Sequence, residues 1–244
     1  MKDKTHYSTS HKPLHGFTLI ELLVVIAVIA GLLAIIAPAL QMARFRAQEI
    51  ICKTNFRQWG LASNTYAHEN AEQFPRFDIS TGTGRNTWDV ANEFVSQMMG
   101  RDLPPEVWFC PVQITPEQRD VLRQGEDAVE VYLRWEHDPA SWFSRIYYNW
   151  WVPRVNGGLW VPTEPSTRGS FPSRTTSRMI AHKPIMSDTL GGPEPVLQRE
   201  EVYGGHQRNG VLRSTSVLYG DGHVKTSLPS EIQTYYNGNY YNFY

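Results

Sequence analysis

The chain has 244 residues and a formal net charge of −1, enough for one ordinary domain plus an anchor or for two small domains. So small a charge argues against a large nucleic-acid footprint, which usually shows as a basic face or domain, and no nucleic-acid partner is expected. All eight tryptophans lie at position 59 or later, and the two cysteines are Cys52 and Cys110.

Residues 1–16 are polar, with Lys2, Lys4 and Lys12 set against Asp3. From Phe17 to Ala37 the one charged residue is Glu21. At 1.5 Å per residue this run makes a helix of roughly 30 Å, the thickness of a bilayer core, so residues 17–38 are expected to span a membrane. A carboxylate well inside lipid costs about 2.5–3.5 kcal/mol, so Glu21 either snorkels to the interface or meets a cation. A cut after Gly16 supplies one, because the new α-amino group of Phe17 then lies one helical turn from Glu21. The rival reading takes Ala37-Pro38-Ala39 as a signal peptidase site, yet the apolar run exceeds the ~7–15 residues of an ordinary signal. Lysines and arginines occur on both sides of the span (Lys2, Lys4 and Lys12 before; Arg44, Arg46, Lys53 and Arg57 after) and leave the topology open.

Leu14-His15-Gly16-Phe17-Thr18-Leu19-Ile20-Glu21-Leu22-Leu23 resembles the type III signal of type IV pilins and type II secretion pseudopilins. The resemblance implies that a prepilin peptidase cuts the basic leader 1–16 after Gly16 and methylates the Phe17 amine. It implies that Glu21 registers the subunit by pairing with a neighbouring subunit's amino terminus. It also implies an N-in, single-pass protein of the cytoplasmic membrane, with its head periplasmic or extracellular. Pro38 falls where such helices often carry a kinking proline.

Past the span, Phe45, Cys52, Phe56, Trp59 and Tyr66 form a stripe with helical spacing. A helix from Phe17 to about Asn70, roughly 80 Å long, is predicted, with residues 39–70 as a spine and 71–244 as the head. Thr87–Gly100 and Pro116–Arg123 read as short helices, and Val129–Trp135 and Ser141–Val152 as strands. Gly82-Thr83-Gly84 and residues 162–177 read as loops. Ser216–Tyr219 and His223–Thr226 flank Asp221-Gly222, a favoured type I′ pair with positive φ at both residues. The tail 234–244 reads as an edge strand or a mobile end. The expected fold class is α+β: a long N-terminal helix packed on four to six antiparallel strands, pilin-like, with loop-rich insertions.

Several head segments are similar to a large bacterial group of prepilin-like proteins. They are Cys52–Ala62, Trp108-Phe109-Cys110-Pro111, Tyr147-Tyr148-Asn149, Pro184–Asp188, and His206 followed by Asp221-Gly222-His223. Fourteen residues separate His206 from Asp221, more than is common there, which implies an insertion near Leu212–Thr215.

No Gly-x-Ser-x-Gly elbow, Walker loop or dinucleotide fingerprint is present, so no enzymatic activity is expected. Cys52 and Cys110 lack a close Cys or His partner and make a weak zinc pair. A disulfide between them is better motivated in an extracytoplasmic head, where closing so long a loop stabilises by about 4 kcal/mol. The spacing of His182, Asp188, His206, Asp221 and His223 demands no metal. No cofactor is required, although Ca²⁺ held by Asp and carbonyl oxygens is compatible with the resemblance. The expected function is a pilin- or pseudopilin-like structural subunit assembled by a type II secretion or type IV pilus-like system. Its partners would be the prepilin peptidase, other subunits, the inner-membrane machinery and lipid. The alternative is a permanently anchored protein binding glycan or a partner protein, which uses the signal only for sorting.

Overall fold

The computed structural model describes residues 17–75, 87–101, 103–134, 140, 143–152, 171–178, 180–192, 203–232, 234–236 and 241–243. The leader 1–16 with Gly16, and the loop Gly82-Thr83-Gly84, lie outside these residues. The fold is α+β, a long N-terminal helix with antiparallel sheets. The chain divides into two compact units between Arg44 and Phe45.

Helix α1 runs without interruption from Leu19 to Glu69, with Pro38 inside it. In the first unit its large side chains, from Leu19 to Leu40, are solvent-exposed. That stretch is long and apolar enough to cross a membrane.

In the second unit α1 buries the face that its spacing predicts. Cys52, Phe56 and Trp59 are wholly inaccessible, while Tyr66 is half-buried beneath the guanidinium of Arg101, 4.7 Å from its ring centre. Trp59 is the hub. Its ring packs edge-on to Trp108 at 4.7 Å and lies 6.1 Å from Phe94, and its Nε1 donates to the Val107 carbonyl at 3.1 Å. The same core takes in Tyr148, Ile185, Met186 and Leu218 from the strands.

After α1 come strand β1 (Asp89–Ala91), helix α2 (Asn92–Met99), a short 3-10 turn (Pro105–Trp108) and helix α3 (Pro116–Gln124). Thr115 and Gln118 form a reciprocal capping box at the start of α3, with Pro116 at its first position. Helix α4 (Glu126–Leu133) stands where a strand is expected from the alternation in Val129–Trp135. Helical period wins there because Val129, Tyr132 and Leu133 are the buried residues and Val131 faces solvent. Glu126 and Asp127 in the first turn also suit a helix N-terminus. The predicted strand Ser141–Val152 breaks into β2 (Phe143–Arg145) and β3 (Tyr148–Trp150).

The remaining strands are β4 (Pro184–Asp188), β5 (Leu190–Gly192), β6 (Tyr203–Gly204), β7 (His206–Arg208), β8 (Val211–Tyr219), β9 (Val224–Ser227), β10 (Thr234–Tyr236) and β11 (Tyr241–Phe243). β1 pairs with β2, and the tail strands join the order β10-β11-β5-β6. The main sheet runs β3-β4-β8-β7, with β9 also paired to β8. β8 is buried on both faces from Ser214 to Leu218: Leu218 enters the main core, while Val217 packs with Trp151 and Phe171.

Two turns differ from expectation. The residues read as an insertion lie in a hairpin, β7–β8, whose turn Asn209-Gly210 has positive φ at both positions (53° and 73°), the type I′ pattern. At the β8–β9 turn, Asp221 does not take positive φ; Gly222 alone does, at 89°. The Gly222 amide donates to Tyr219 O and the Tyr219 amide to His223 O, so the loop has three residues and closes on a glycine bulge. This turn rests on the spine helix. Asn64 Nδ2 donates to Gly220 O at 3.2 Å, and a Cβ on Gly60 would meet Leu218 at 3.0 Å and Gly222 at 3.6 Å.

Candidate functional site

At the N-terminal end, Phe17 is exposed and Thr18 stands one residue before α1. The Thr18 amide and hydroxyl both donate to Glu21 Oε2, at 2.8 and 2.7 Å, and the Glu21 amide donates back to Thr18 Oγ1 at 3.3 Å. This is a capping box, and it gives Glu21 a partner within its own chain. The Thr-x-x-Glu spacing signals it in the sequence. Gly16 lies outside the described residues.

In the second unit, four elements each deliver one side chain to a single point. Cys52 comes from α1 and Cys110 from the loop after the 3-10 turn. Asp188 is the last residue of β4 and His206 the first of β7. Their sulfur, carboxylate and imidazole atoms all lie within 4.8 Å of one another. None is accessible beyond 2 %. Cys52 Sγ lies 3.4 Å from Asp188 Oδ1, and His206 Nε2 lies 3.1 Å from Asp188 Oδ2.

Further contacts fix each of the four. The Ser216 amide donates to Asp188 Oδ2 at 2.6 Å, and Asn149 Nδ2 donates to the Asp188 carbonyl at 3.3 Å. Gln113 Nε2 donates to the Gly205 carbonyl at 2.8 Å, and the Gln113 amide donates to Cys110 O at 3.0 Å, so the cysteine loop is tied to the start of β7. On the far side of the imidazole, His206 Nδ1 is 3.1 Å from Ser214 Oγ, which donates to Glu49 Oε1 at 2.5 Å. Glu49, itself buried, is held from outside by Arg46 at 2.9 Å. Because the Ser214 proton is spent on Glu49, its oxygen accepts from Nδ1–H, so Nδ1 carries a proton.

The proton affinities reflect this crowding. Burial, then the hydrogen bond with Cys110 and the charge of Asp188, push the Cys52 thiol well up. Burial also opposes ionisation of Cys110, but hydrogen bonds from Cys52 and His206 outweigh it and bring that thiol down. Burial disfavours the His206 cation, yet Asp188 and then Cys110 hold it up to about 11.

Of the residues singled out in the sequence, the structure unites Cys52, Cys110, Asp188 and His206. The expected disulfide is not formed: both cysteines are free thiols. Each sulfur is engaged with its neighbours in the cluster, Cys52 with Asp188 and Cys110 with His206. His206 does not share a hairpin with Asp221 and Gly222. Asp221 sits on the exposed β8–β9 turn, paired at 2.6 Å with His223, whose ring stacks on Tyr219. His182 is exposed and apart. No motif marks Glu49 or Ser214; the one signal the sequence offers is a Glu three residues before Cys52, at helical spacing on the face of the apolar stripe. No protein-family model, curated protein or solved structure matches this chain.

Proposed function

We propose that the protein is a membrane-anchored, prepilin-like subunit, processed after Gly16 and held or assembled through the apolar part of α1. The observation that carries this is the form of α1. Its exposed apolar half begins at a Phe17-Thr18-Leu19-Ile20-Glu21 entrance, and the same helix supplies the head's central core residues Cys52, Phe56 and Trp59. Glu21 serves locally as the capping residue and, in an assembled filament, as the partner of a neighbouring amino terminus. The two hydrogen bonds from Thr18 to Glu21 Oε2 do not conflict with that second role, because a carboxylate accepts several hydrogen bonds. The fold class, an N-terminal helix with antiparallel sheet, supports the reading as the resemblance implies it.

The test is the N-terminal sequence and intact mass of the protein from its native membrane. A start at Phe17 with one added methyl group is expected. An intact Met1 would leave a plain anchor, and a start at Leu40 would make a secreted soluble protein and remove the filament role.

A further inference from the structure

We propose that Cys52, Cys110, Asp188 and His206 form a structural metal centre for one divalent transition ion of the zinc type. The donor set selects the ion. Two sulfurs rule against hard cations such as Ca²⁺ and Mg²⁺, which take oxygen ligands, and a two-sulfur, imidazole and carboxylate set suits Zn²⁺. In a tetrahedral site with ordinary Zn–S, Zn–N and Zn–O lengths, neighbouring donors stand about 3.3–3.8 Å apart. Cys52 Sγ lies 3.4 Å from Asp188 Oδ1 and His206 Nε2 3.1 Å from its Oδ2, and one ligand atom from each of the four falls within 4.8 Å of the others, so the set converges near that spacing.

A second observation points the same way. His206 is completely buried, and its Nε2, though near Asp188 Oδ2, makes no aligned hydrogen bond. A buried imidazole nitrogen that faces a carboxylate without a formed hydrogen bond is poorly satisfied. On its other side the ring is locked by the relay from Nδ1–H to Ser214 to Glu49. That relay leaves Nε2 facing the two sulfurs and the carboxylate, where its proton gives way to the ion on binding. A carboxylate-backed histidine is the usual support for a metal-bound imidazole. Asp188 is supported in parallel, since Ser216 N–H holds its Oδ2.

All four positions are supplied by protein and all four residues are closed to solvent, so no coordination position is left for substrate. The ion's part is to fasten α1, the Cys110 loop, β4 and β7 at one point. Binding replaces thiol and imidazolium protons by the metal, with no change in oxidation state, and the released protons pass to solvent.

The experiment uses the full chain, purified in detergent without chelator or a histidine tag. Elemental analysis is expected to find about one zinc per chain. After stripping, reloading with Co²⁺ should give the visible absorption of tetrahedral, thiolate-ligated cobalt, and the intact non-reduced mass should show both thiols unbridged. Cys52→Ser and His206→Ala should lose the ion. Because either variant could fail to fold, Glu49→Gln provides a milder probe, expected to weaken Zn²⁺ retention against a competing chelator by about 10–100-fold while leaving the ligands in place. A wild-type chain that carries no ion and gives no thiolate–cobalt signature overturns the proposal. So does a mass two hydrogens lower, which would establish a Cys52–Cys110 disulfide instead.

Discussion

Ser214 donates its hydroxyl to Glu49 at 2.5 Å across 165 residues of sequence, and this bond joins the middle of the longest strand to the spine helix. Both residues are buried, and the same hydroxyl stands 3.1 Å from His206 Nδ1. Ser214→Ala therefore leaves a carboxylate oxygen and an imidazole N–H without their bridge. A loss of about 1–3 kcal/mol is expected, read as a shift in the denaturant midpoint of tryptophan fluorescence. A neutral result would mean that water fills the gap.

Trp59→Ala should cost more. The ring is wholly buried and packs among Phe94, Trp108, Tyr148 and Trp150. Truncation leaves a cavity and frees the Val107 carbonyl, for about 3–5 kcal/mol by the same unfolding measurement. Trp59→Phe keeps most of the packing and should lie between this variant and wild type.

Two glycines with positive φ should respond very differently to alanine. At Gly204 a Cβ would stand 1.9 Å from the Thr189 carbonyl oxygen, a backbone atom that cannot yield without parting β5 from β6. Gly204→Ala is expected to cost upwards of ~4 kcal/mol and to displace His206, two residues on. At Gly222 the same Cβ meets nothing within 4 Å, so only the left-handed backbone is penalised, by about 1–2 kcal/mol. Thermal midpoints of the two variants, compared side by side, check the ordering.

Processing and assembly should separate genetically. Gly16→Leu is expected to accumulate as an unprocessed precursor, seen as a larger species on immunoblots of membranes. Glu21→Ala should be cut normally but lose crosslinks between neighbouring Phe17–Glu21 segments introduced as cysteine pairs. Normal cutting of the Gly16 variant would sink the prepilin reading.

The spine and the hairpin are legible in the sequence because their signals are local. Cys52, Phe56 and Trp59 recur at helical spacing, and Asp221-Gly222 is a strong turn pair. Where two periods compete over a short run, as in Val129–Leu133, the pattern misleads; burial of Val129, Tyr132 and Leu133 decides for helix. The Asn209-Gly210 turn is a hairpin pair of the same favoured type, and the spacing from His206 to Asp221, which implies an insertion near Leu212–Thr215, hides it. The metal-type cluster was illegible for a different reason. Its four residues come singly from four separate stretches, so no short spacing such as Cys-x-x-Cys announces them. Each also has an adequate separate explanation, and only the fold shows that they meet.

The packing of α1 sets the order in which this protein is able to mature. Phe56, Trp59 and Gly60 are translated well before Ile185, Met186 and Leu218, which share a core with the two aromatics, Leu218 also closing on Gly60. Until β8 arrives, the part of this aromatic seam that Leu218 closes stays uncovered, a state prone to aggregation. A chain cut short before Val211 would therefore leave Gly60 and its aromatic neighbours without their cover from β8, and any factor that shields this face of the helix would act on the chain within that interval.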